Sequence, residues 1–504
     1  MEALQTGMII GLIAVTFLIA LTALISGWRV RSTDDFTVAS RRAGWRVVSG
    51  IIVGALVGGS STVGTAQAAF VYGLPAWWFT LGAGIGCVML ATLFAKPMRR
   101  SCVETLPQYL VCTFGNPIRP LVAVSDSIGI FLTIPGQAAS AIALLAVLLH
   151  WSAAPVFILV SLLVIAYVFM GGAISAGVAG FVKMLICFAT LLVFGTVALV
   201  FGGGFSAFHA TLPARYFDLF GNGFWKDTGN GLGIVFGVLT TQVYVQAVLS
   251  GRDVRQSRIG TIVAGVGTTV FGLGGVAVGM FMRIHEPNIA PAQALPLFAA
   301  HYFSPVLSGI MLGAILITVI TCAGGLALGI ATMITRDLYQ RYVRPGLSDC
   351  EVILVARTTI VVMVVLGVLI GGSSGLKLII SYSFLAFAFR ADSMLIPVIV
   401  AAIGPRLRLN TAGAGIGAMA SGMVTNIVWS LLVSPSGAAV FMGLAGSIIG
   451  LLLGHAVSLG IGGKRFAWPG LNEVFIETGN APRGGFPGRL KKGDRSDVHS
   501  KSIR

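Results

Sequence analysis

The sequence predicts an all-α integral membrane protein with thirteen transmembrane helices. Three observations carry that prediction. The 504-residue chain is 56% hydrophobic and only 10% charged, with a mean hydropathy of +0.93. Apolar stretches of about 18 residues or more recur along most of its length, each long enough to cross a hydrocarbon core of about 30 Å. Lys and Arg fall with a strong bias into alternate connecting segments.

The spans are expected near residues 7–28, 47–72, 77–96, 120–149, 153–171, 178–201, 231–249, 259–282, 306–333, 353–372, 377–403, 411–433 and 437–461. The first has no small-residue cleavage site behind it and runs into RVRSTDDF, so it reads as a retained helix and not a signal peptide. With the N-terminus outside, the cytoplasmic segments hold 27 of the 33 basic residues. Arg215, Lys226, Arg283 and Lys377 lie in external loops, and Lys183 and Arg390 lie within spans. This asymmetry is the positive-inside signature and orients the chain with a cytoplasmic C-terminus. It also accounts for the net charge of +16 through topology and attraction to anionic lipid, so membrane lipids are expected partners and nucleic acid is not.

Residues 1–462 form the transmembrane domain. Residues 463–504 form a basic cytoplasmic tail rich in Gly and Pro, without an apolar period and disordered towards its end. The cysteines Cys87, Cys102, Cys112, Cys187, Cys322 and Cys350 show neither metal-ligand spacing nor a disulfide context. No cofactor or metal is expected. Six histidines, no phosphate-binding glycine motif and no nucleophile elbow leave enzyme chemistry without support.

Two spans make poor continuous helices. The second reads SGIIVGALVGGSSTVGTAQAAFVYG, with Gly50, Gly54, Gly58, Gly59 and Gly64 beside small hydroxyl residues. The seventh places Thr240, Thr241, Gln242 and Gln246 in mid-span. Glycine and polar residues are tolerated in hydrocarbon where backbone unwinds and lines a cavity. Broken helices in corresponding places, here five spans apart, are the best sequence pointer to a transporter's binding site. Close helix packing through small residues would produce a similar pattern in the second span.

Lys183 lies in the apolar run VAGFVKMLICFATLLVFGTVALVF. An ammonium within a membrane span costs a few kcal/mol or more, which makes it a functional-site candidate. It is also only about a turn and a half from its helix end, where a lysine can snorkel to water. Arg390 and Asp392 sit in the eleventh span. An i,i+2 pair does not share a helix face, so each is expected to find a partner elsewhere, with Asp126 a candidate for Arg390. Ser60, Ser61, Gln67, Gln137, Thr241, Gln242 and Tyr244 are candidates, with Arg390, for lining a substrate cavity. Each of them could equally be an interhelical hydrogen-bonding residue. Trp77 and Trp78 read as members of an interfacial belt.

The junctions QVYVQAVLSGRDVRQSRIGTIVAG and ATMITRDLYQRYVRPGLSDCEVILVAR resemble those of the sodium/solute symporter family, with Gln242, Gln246, Thr335, Asp337, Leu338 and Tyr339 at the matching positions. The segment from DDFTVASRRAGWRVVSG through AAFVYGLPAWW is similar too, and the likeness covers most of residues 1–460. The resemblance implies a multi-pass protein of a plasma membrane, here a bacterial inner membrane. It implies a five-plus-five inverted repeat over about 47–201 and 231–403, working by alternating access. It further implies a core sodium site, with backbone carbonyls of Gly54 and Val57 from the second span and positions Thr318, Thr321 and Cys322 from the ninth.

The sequence departs from that pattern at three positions. Cys322 offers a thiol where the family usually has a hydroxyl, and sodium is a hard cation that prefers oxygen. Gly180 stands where the family often has an Asp. Lys183 stands where a polar residue, often Gln, is usual, and some sodium-independent transporters of the wider superfamily put a basic side chain of this helix into the sodium site. An ammonium there would repel sodium and could hold two helices together through the same carbonyls, so Lys183 is expected to reach Gly54, Val57, Thr318 and Thr321. The expected function is secondary active transport of a small organic solute, proton-coupled or sodium-independent. Sodium-coupled symport and a transporter-like membrane sensor are the alternatives.

Overall fold

The computed structural model describes residues 42–461 apart from 102, 150–152, 170–172, 347, 374–377, 404–406 and 434–436, together with scattered positions between 7 and 17. The tail at 463–504, Cys102, Lys377 and most of the first expected span lie outside the described residues.

Among the described residues the protein is helical throughout, apart from one isolated bridge between Ala43 and Gly251. We number the helices that matter here in chain order. They are α1 (Trp45–Leu56), α2 (Val63–Tyr72), α3 (Trp78–Met89), α4 (Leu106–Phe114), α5 (Arg119–Phe131), α6 (Ile134–Leu149), α7 (Ala153–Phe169), α8 (Ala173–Phe201), α9 (Phe224–Thr240) and α10 (Gln242–Ser250). They continue with α11 (Val254–His285), α12 (Pro305–Met333), α13 (Asp349–Ser373), α14 (Ile379–Ile403), α15 (Ala412–Leu432) and α16 (Ala438–Gly460). Among the described residues nine helices are long and apolar enough to cross a membrane, or ten when the bent pair α9 and α10 counts as one span. The α1 and α7 segments are apolar but shorter.

Hydropathy and burial together sort the helices into core and periphery. The Pro305–Val343 helix that contains α12 has a mean hydropathy of 2.4 and is 83% buried, so protein surrounds it. The Cys350–Gly371 stretch of α13 is as apolar, at 2.6, yet only 28% buried, which leaves its face to hydrocarbon. Helices α15 and α16 are equally exposed and pack mainly on each other. Around α12 stand α1, α5, α6, α7, α8 and α13, while α1 also runs along α8 and α9 along α14.

Both suspect spans are broken. Helix α1 stops at Leu56 and α2 begins at Val63, with Val57 in extended conformation. Helices α9 and α10 meet at 46° across Thr241, which is also extended.

The basic end of the molecule is laced together. Ala43 N–H donates to Ser250 O at 3.1 Å, and Arg252 N–H returns to Ala43 O at 2.9 Å. Arg99 Nε donates to Gly251 O at 2.6 Å. The tip of α10 is thereby fixed to the start of α1. Trp77 and Trp78 also look inward. Their indole N–H groups donate to Thr269 O of α11 at 3.0 Å and to Leu219 O of the segment before α9 at 2.9 Å, so both rings also serve as ties within the protein.

Candidate functional site at the two broken helices

An unwound segment inside a membrane protein must satisfy every backbone group it frees. Between α1 and α2, small hydroxyls and one glutamine meet several of these groups. Gly58 N–H donates to Ser61 Oγ at 2.9 Å, while Ser61 Oγ and Thr62 Oγ1 donate to Gly58 O at 3.0 and 2.8 Å. Gly59 N–H donates to Gln137 Oε1 of α6 at 2.6 Å. Thr65 Oγ1 donates to Ser60 O at 3.0 Å, and Ser60 Oγ shares a 2.7 Å bond with Ser383 Oγ of α14. Glycine is required at 58 by close approach, since a Cβ there would lie 2.6 Å from Cys322 Sγ and 2.7 Å from its Cβ.

The second break is held differently. Thr240 and Thr241 hydroxyls fold back onto Gly237 O at 3.1 and 2.6 Å. Gln242 N–H, freed at the start of α10, donates to Asp126 Oδ2 of α5 at 2.9 Å. Gln242 Oε1 accepts Leu106 N–H of α4 at 2.7 Å, which satisfies the start of a second helix.

Lys183 is 1% exposed, although it lies near one end of its apolar run. Its Nζ donates to Gly54 O of α1 at 3.0 Å and to Thr318 O of α12 at 2.9 Å. One amine on α8 thus ties three helices together. Of the four expected contacts it makes two, with no hydrogen bond to Val57 or Thr321. Val57 N–H closes α1 on Val53 O at 2.9 Å, and Thr321 Oγ1 donates to Thr318 O at 3.1 Å. Cys322 Sγ donates to Ala55 O at 2.9 Å, so the thiol serves as a weak donor from α12 to α1.

Gly180, one turn before Lys183, has a steric explanation. A Cβ there would sit 2.8 Å from the carbonyl carbon of Gly50 and closer still to its oxygen. Backbone meets backbone, so no side chain fits at 180 while α1 and α8 lie at this distance. Gly50 and Gly54 are one turn apart on α1, as Gly180 and Lys183 nearly are on α8. The bare contact at 180 therefore sets the separation that brings the amine within bonding distance of Gly54 O.

The candidate cavity residues are all buried and gather at the two breaks. Gln67 Oε1 accepts Ile379 N–H at 2.8 Å, at the start of α14. Gln137 supports Gly59, as above. Tyr244 of α10 lies parallel to Phe387 of α14, with centroids 6.4 Å apart. Arg390 reaches over the same Phe387 ring, its Cζ 4.4 Å from the centroid. Asp392 finds its partner in Asn426 of α15, whose Nδ2 donates to Oδ2. Two buried partners escaped the sequence reading. Asn426 is one, and Arg119 is the other, its Nε 3.7 Å from Oδ1 of the junction residue Asp337.

The model of the sodium:solute symporter family matches residues 36–422. The chain belongs to that family. Among the family's characterised proteins it is 26% identical over 465 residues to an osmoregulated proline transporter of Bacillus subtilis, covering 86% of this chain and 92% of the relative. It is 26% identical over 451 residues to a sodium/proline symporter of Haemophilus influenzae, covering 82% and 86%. It is 25% identical over 390 residues to a high-affinity choline transporter of Caenorhabditis elegans, covering 70% and 67%. The fold is that of a Na+-coupled sialic acid symporter solved in a substrate-bound outward-open state, with a TM-score of 0.75 at 15% identity over 92% of this chain and 99% of that one. The protein is accordingly a multi-pass membrane protein and a secondary solute transporter. Of the positions that the resemblance assigned to a symporter's core sodium site, Gly54 and Thr318 carry the carbonyls that the Lys183 amine reaches, while Thr321 bonds to Thr318 O and Cys322 to Ala55 O.

Proposed function

We propose that the protein moves a small organic solute by alternating access without sodium, with the Lys183 amine standing in for the ion and a proton as the coupling species. One observation carries this reading: the amine spends two N–H groups on Gly54 O and Thr318 O, positions that the family resemblance assigns to a sodium site. A cation fixed there repels a second one. At 4 Å two unit charges interact by about 4 kcal/mol even at an effective dielectric near 20.

The amine can also act as a latch. Hydrogen bonds from a charged donor contribute about 1.5–3 kcal/mol each, and neutral ones about 0.5–1.5. Loss of the proton would therefore weaken the two-bond tie between α1, α8 and α12 by about 2–3 kcal/mol. That is sufficient to shift a two-state equilibrium by roughly 30- to 150-fold. Protonated Lys183 holds α1 to α12, and the deprotonated amine lets α1 move. On this reading the pseudo-symmetric halves near 47–201 and 231–403 rock about the two breaks, and the basic, tightly laced end faces the cytoplasm.

The test is uptake into sealed proteoliposomes, with radiolabelled proline and choline as probes because the relatives are named for them. Uptake is expected to follow an inward proton gradient and to be indifferent to replacing sodium by potassium. Lys183→Ala should flatten the pH profile. Sodium coupling, as in the Na+-coupled sialic acid symporter, is the competing reading. It predicts saturable stimulation by millimolar sodium with Lys183→Ala unaltered.

A further inference from the structure

A second cluster of buried polar groups lies at the break between α9 and α10, and among the described residues it is only partly satisfied. Arg390 is 0% exposed, and none of its three guanidinium nitrogens has a hydrogen-bond partner. Its stem lies against α5, where a Cβ on Gly129 would be 2.9 Å from Arg390 Cδ. One turn earlier on α5 is Asp126, also 0% exposed. Its Oδ2 accepts Gln242 N–H, while Oδ1 has no partner. The Gln242 carboxamide is likewise half used. Its oxygen accepts Leu106 N–H and its Nε2 is unpartnered.

Buried polar groups in native proteins are almost always hydrogen-bonded, and an unpaired buried charge is among the most expensive features a fold can carry. Asp126 links three such groups, bonding the Gln242 backbone and lying one turn from the Gly129 against which Arg390 packs. Arg390 and Asp126 are near enough to interact electrostatically yet form no direct hydrogen bond. Each therefore keeps bonding capacity for a third party. The unmet set is specific in kind. A guanidinium fork and a carboxamide N–H₂ are donors suited to a carboxylate. Asp126 Oδ1 is an acceptor suited to an ammonium or iminium N–H. The protein's own charges cancel, so a lone anion would be repelled by Asp126 and a lone cation by Arg390. A solute with both charges is matched to both. The Phe387 and Tyr244 rings beside them supply an apolar wall for its carbon skeleton.

We propose that Asp126, Gln242 and Arg390 bind a small zwitterionic carboxylate, an amino or imino acid, with Arg390 and Gln242 taking its carboxylate and Asp126 Oδ1 its nitrogen. This rests on the reading of the chain as a solute transporter and is independent of the Lys183 latch.

The experiment is thermal unfolding of the purified full-length protein in sodium-free potassium buffer at constant ionic strength. The probes are each of the twenty proteinogenic amino acids, with propionate, propylamine and glucose as carboxylate-only, amine-only and neutral controls. Ligand binding raises the apparent midpoint by mass action. At least one amino acid should raise it saturably, with the three controls inert at the same concentration. Arg390→Gln should abolish the shift, and Arg390→Lys should weaken binding at least tenfold because the fork is lost. Asp126→Asn keeps an acceptor for Gln242 N–H and so guards against misfolding. It should weaken amino-acid binding at least tenfold. Lys183→Ala should leave the affinity within threefold of wild type, which separates failure here from failure of the coupling proposal. Stabilisation by glucose or propylamine but by no amino acid, an affinity indifferent to Asp126→Asn and Arg390→Gln, or no shift with any probe would each overturn the assignment.

Discussion

Replacing Gly180 by alanine adds one methyl group at the closest approach of α1 and α8. The new Cβ would be built 2.8 Å from Gly50 C, where real Cβ contacts are essentially never seen. The obstacle is backbone and cannot swing aside, so α8 must move out by roughly an ångström. Overpacking of this kind costs about 1–3 kcal/mol. Alanine recovers about 1 kcal/mol of helix propensity relative to glycine. With a rigid neighbour the upper half of the overpacking range applies, and Gly180→Ala should be about 1–2 kcal/mol less stable. The displacement also reaches the amine. Lys183 Nζ is 3.0 Å from Gly54 O, and a contact stretched to about 3.6 Å or more is no longer a hydrogen bond. The variant should therefore lower the thermal midpoint and flatten the pH profile of uptake as Lys183→Ala does. Gly180→Asp should be worse on both counts. Wild-type stability together with an intact pH profile in Gly180→Ala would refute the idea that this contact positions the amine.

Three further outcomes are expected. Gln137→Leu strands the buried Gly59 N–H and should cost about 1–3 kcal/mol in thermal unfolding, while Gln137→Glu, which keeps an acceptor, should recover most of it. Asn426→Leu removes a donor to the buried Asp392 carboxylate and should destabilise the packing of α15 on α14 by a similar amount, measurable as earlier unfolding, whereas Asn426→Gln should be milder. A cysteine introduced at Ser496 should resist an impermeant thiol reagent in intact cells if the C-terminus is cytoplasmic as the basic-residue bias predicts, and ready labelling there would reverse the orientation.

The architecture was legible in the sequence because hydrocarbon imposes so strong a constraint. Long apolar runs can only be helices there, and glycines with hydroxyls in mid-run mark where a helix opens. Both breaks fall on the residues that advertised them, Gly58–Ser61 and Thr240–Gln242. Lys183 stood out for the same reason, as a charge in a segment that should have none. Partners were much harder to read. Gln137, Gln67 and Gln242 each use the side-chain oxygen on a backbone N–H of a distant segment, and a glutamine in a span shows a polar type without an address. Asp392 with Asn426 and Asp337 with Arg119 are pairings between helices that one sequence cannot align. The absence of an acid at 180 reads in the sequence as a chemical loss, and the structure adds a steric reason, since Gly50 occupies the space a side chain would need. Tryptophans near a span end are normally belt residues, but an indole N–H can instead tie to a carbonyl of a packed helix or turn, as Trp77 and Trp78 do.

Sodium binding by the purified protein decides most directly whether the Lys183 amine stands in the ion's place. Thermal unfolding would be followed while sodium replaces potassium at constant ionic strength, for wild type, Lys183→Ala and the double variant Lys183→Ala with Cys322→Ser. The wild-type midpoint should not respond to sodium. The double variant, which frees Gly54 O and Thr318 O and adds a hydroxyl beside Thr321, should gain a saturable rise, about 2.7 kcal/mol at a hundredfold excess over its dissociation constant. Saturable stabilisation of the wild type by millimolar sodium, unchanged in Lys183→Ala, would contradict the account and leave Lys183 as a structural tie beside a working sodium site.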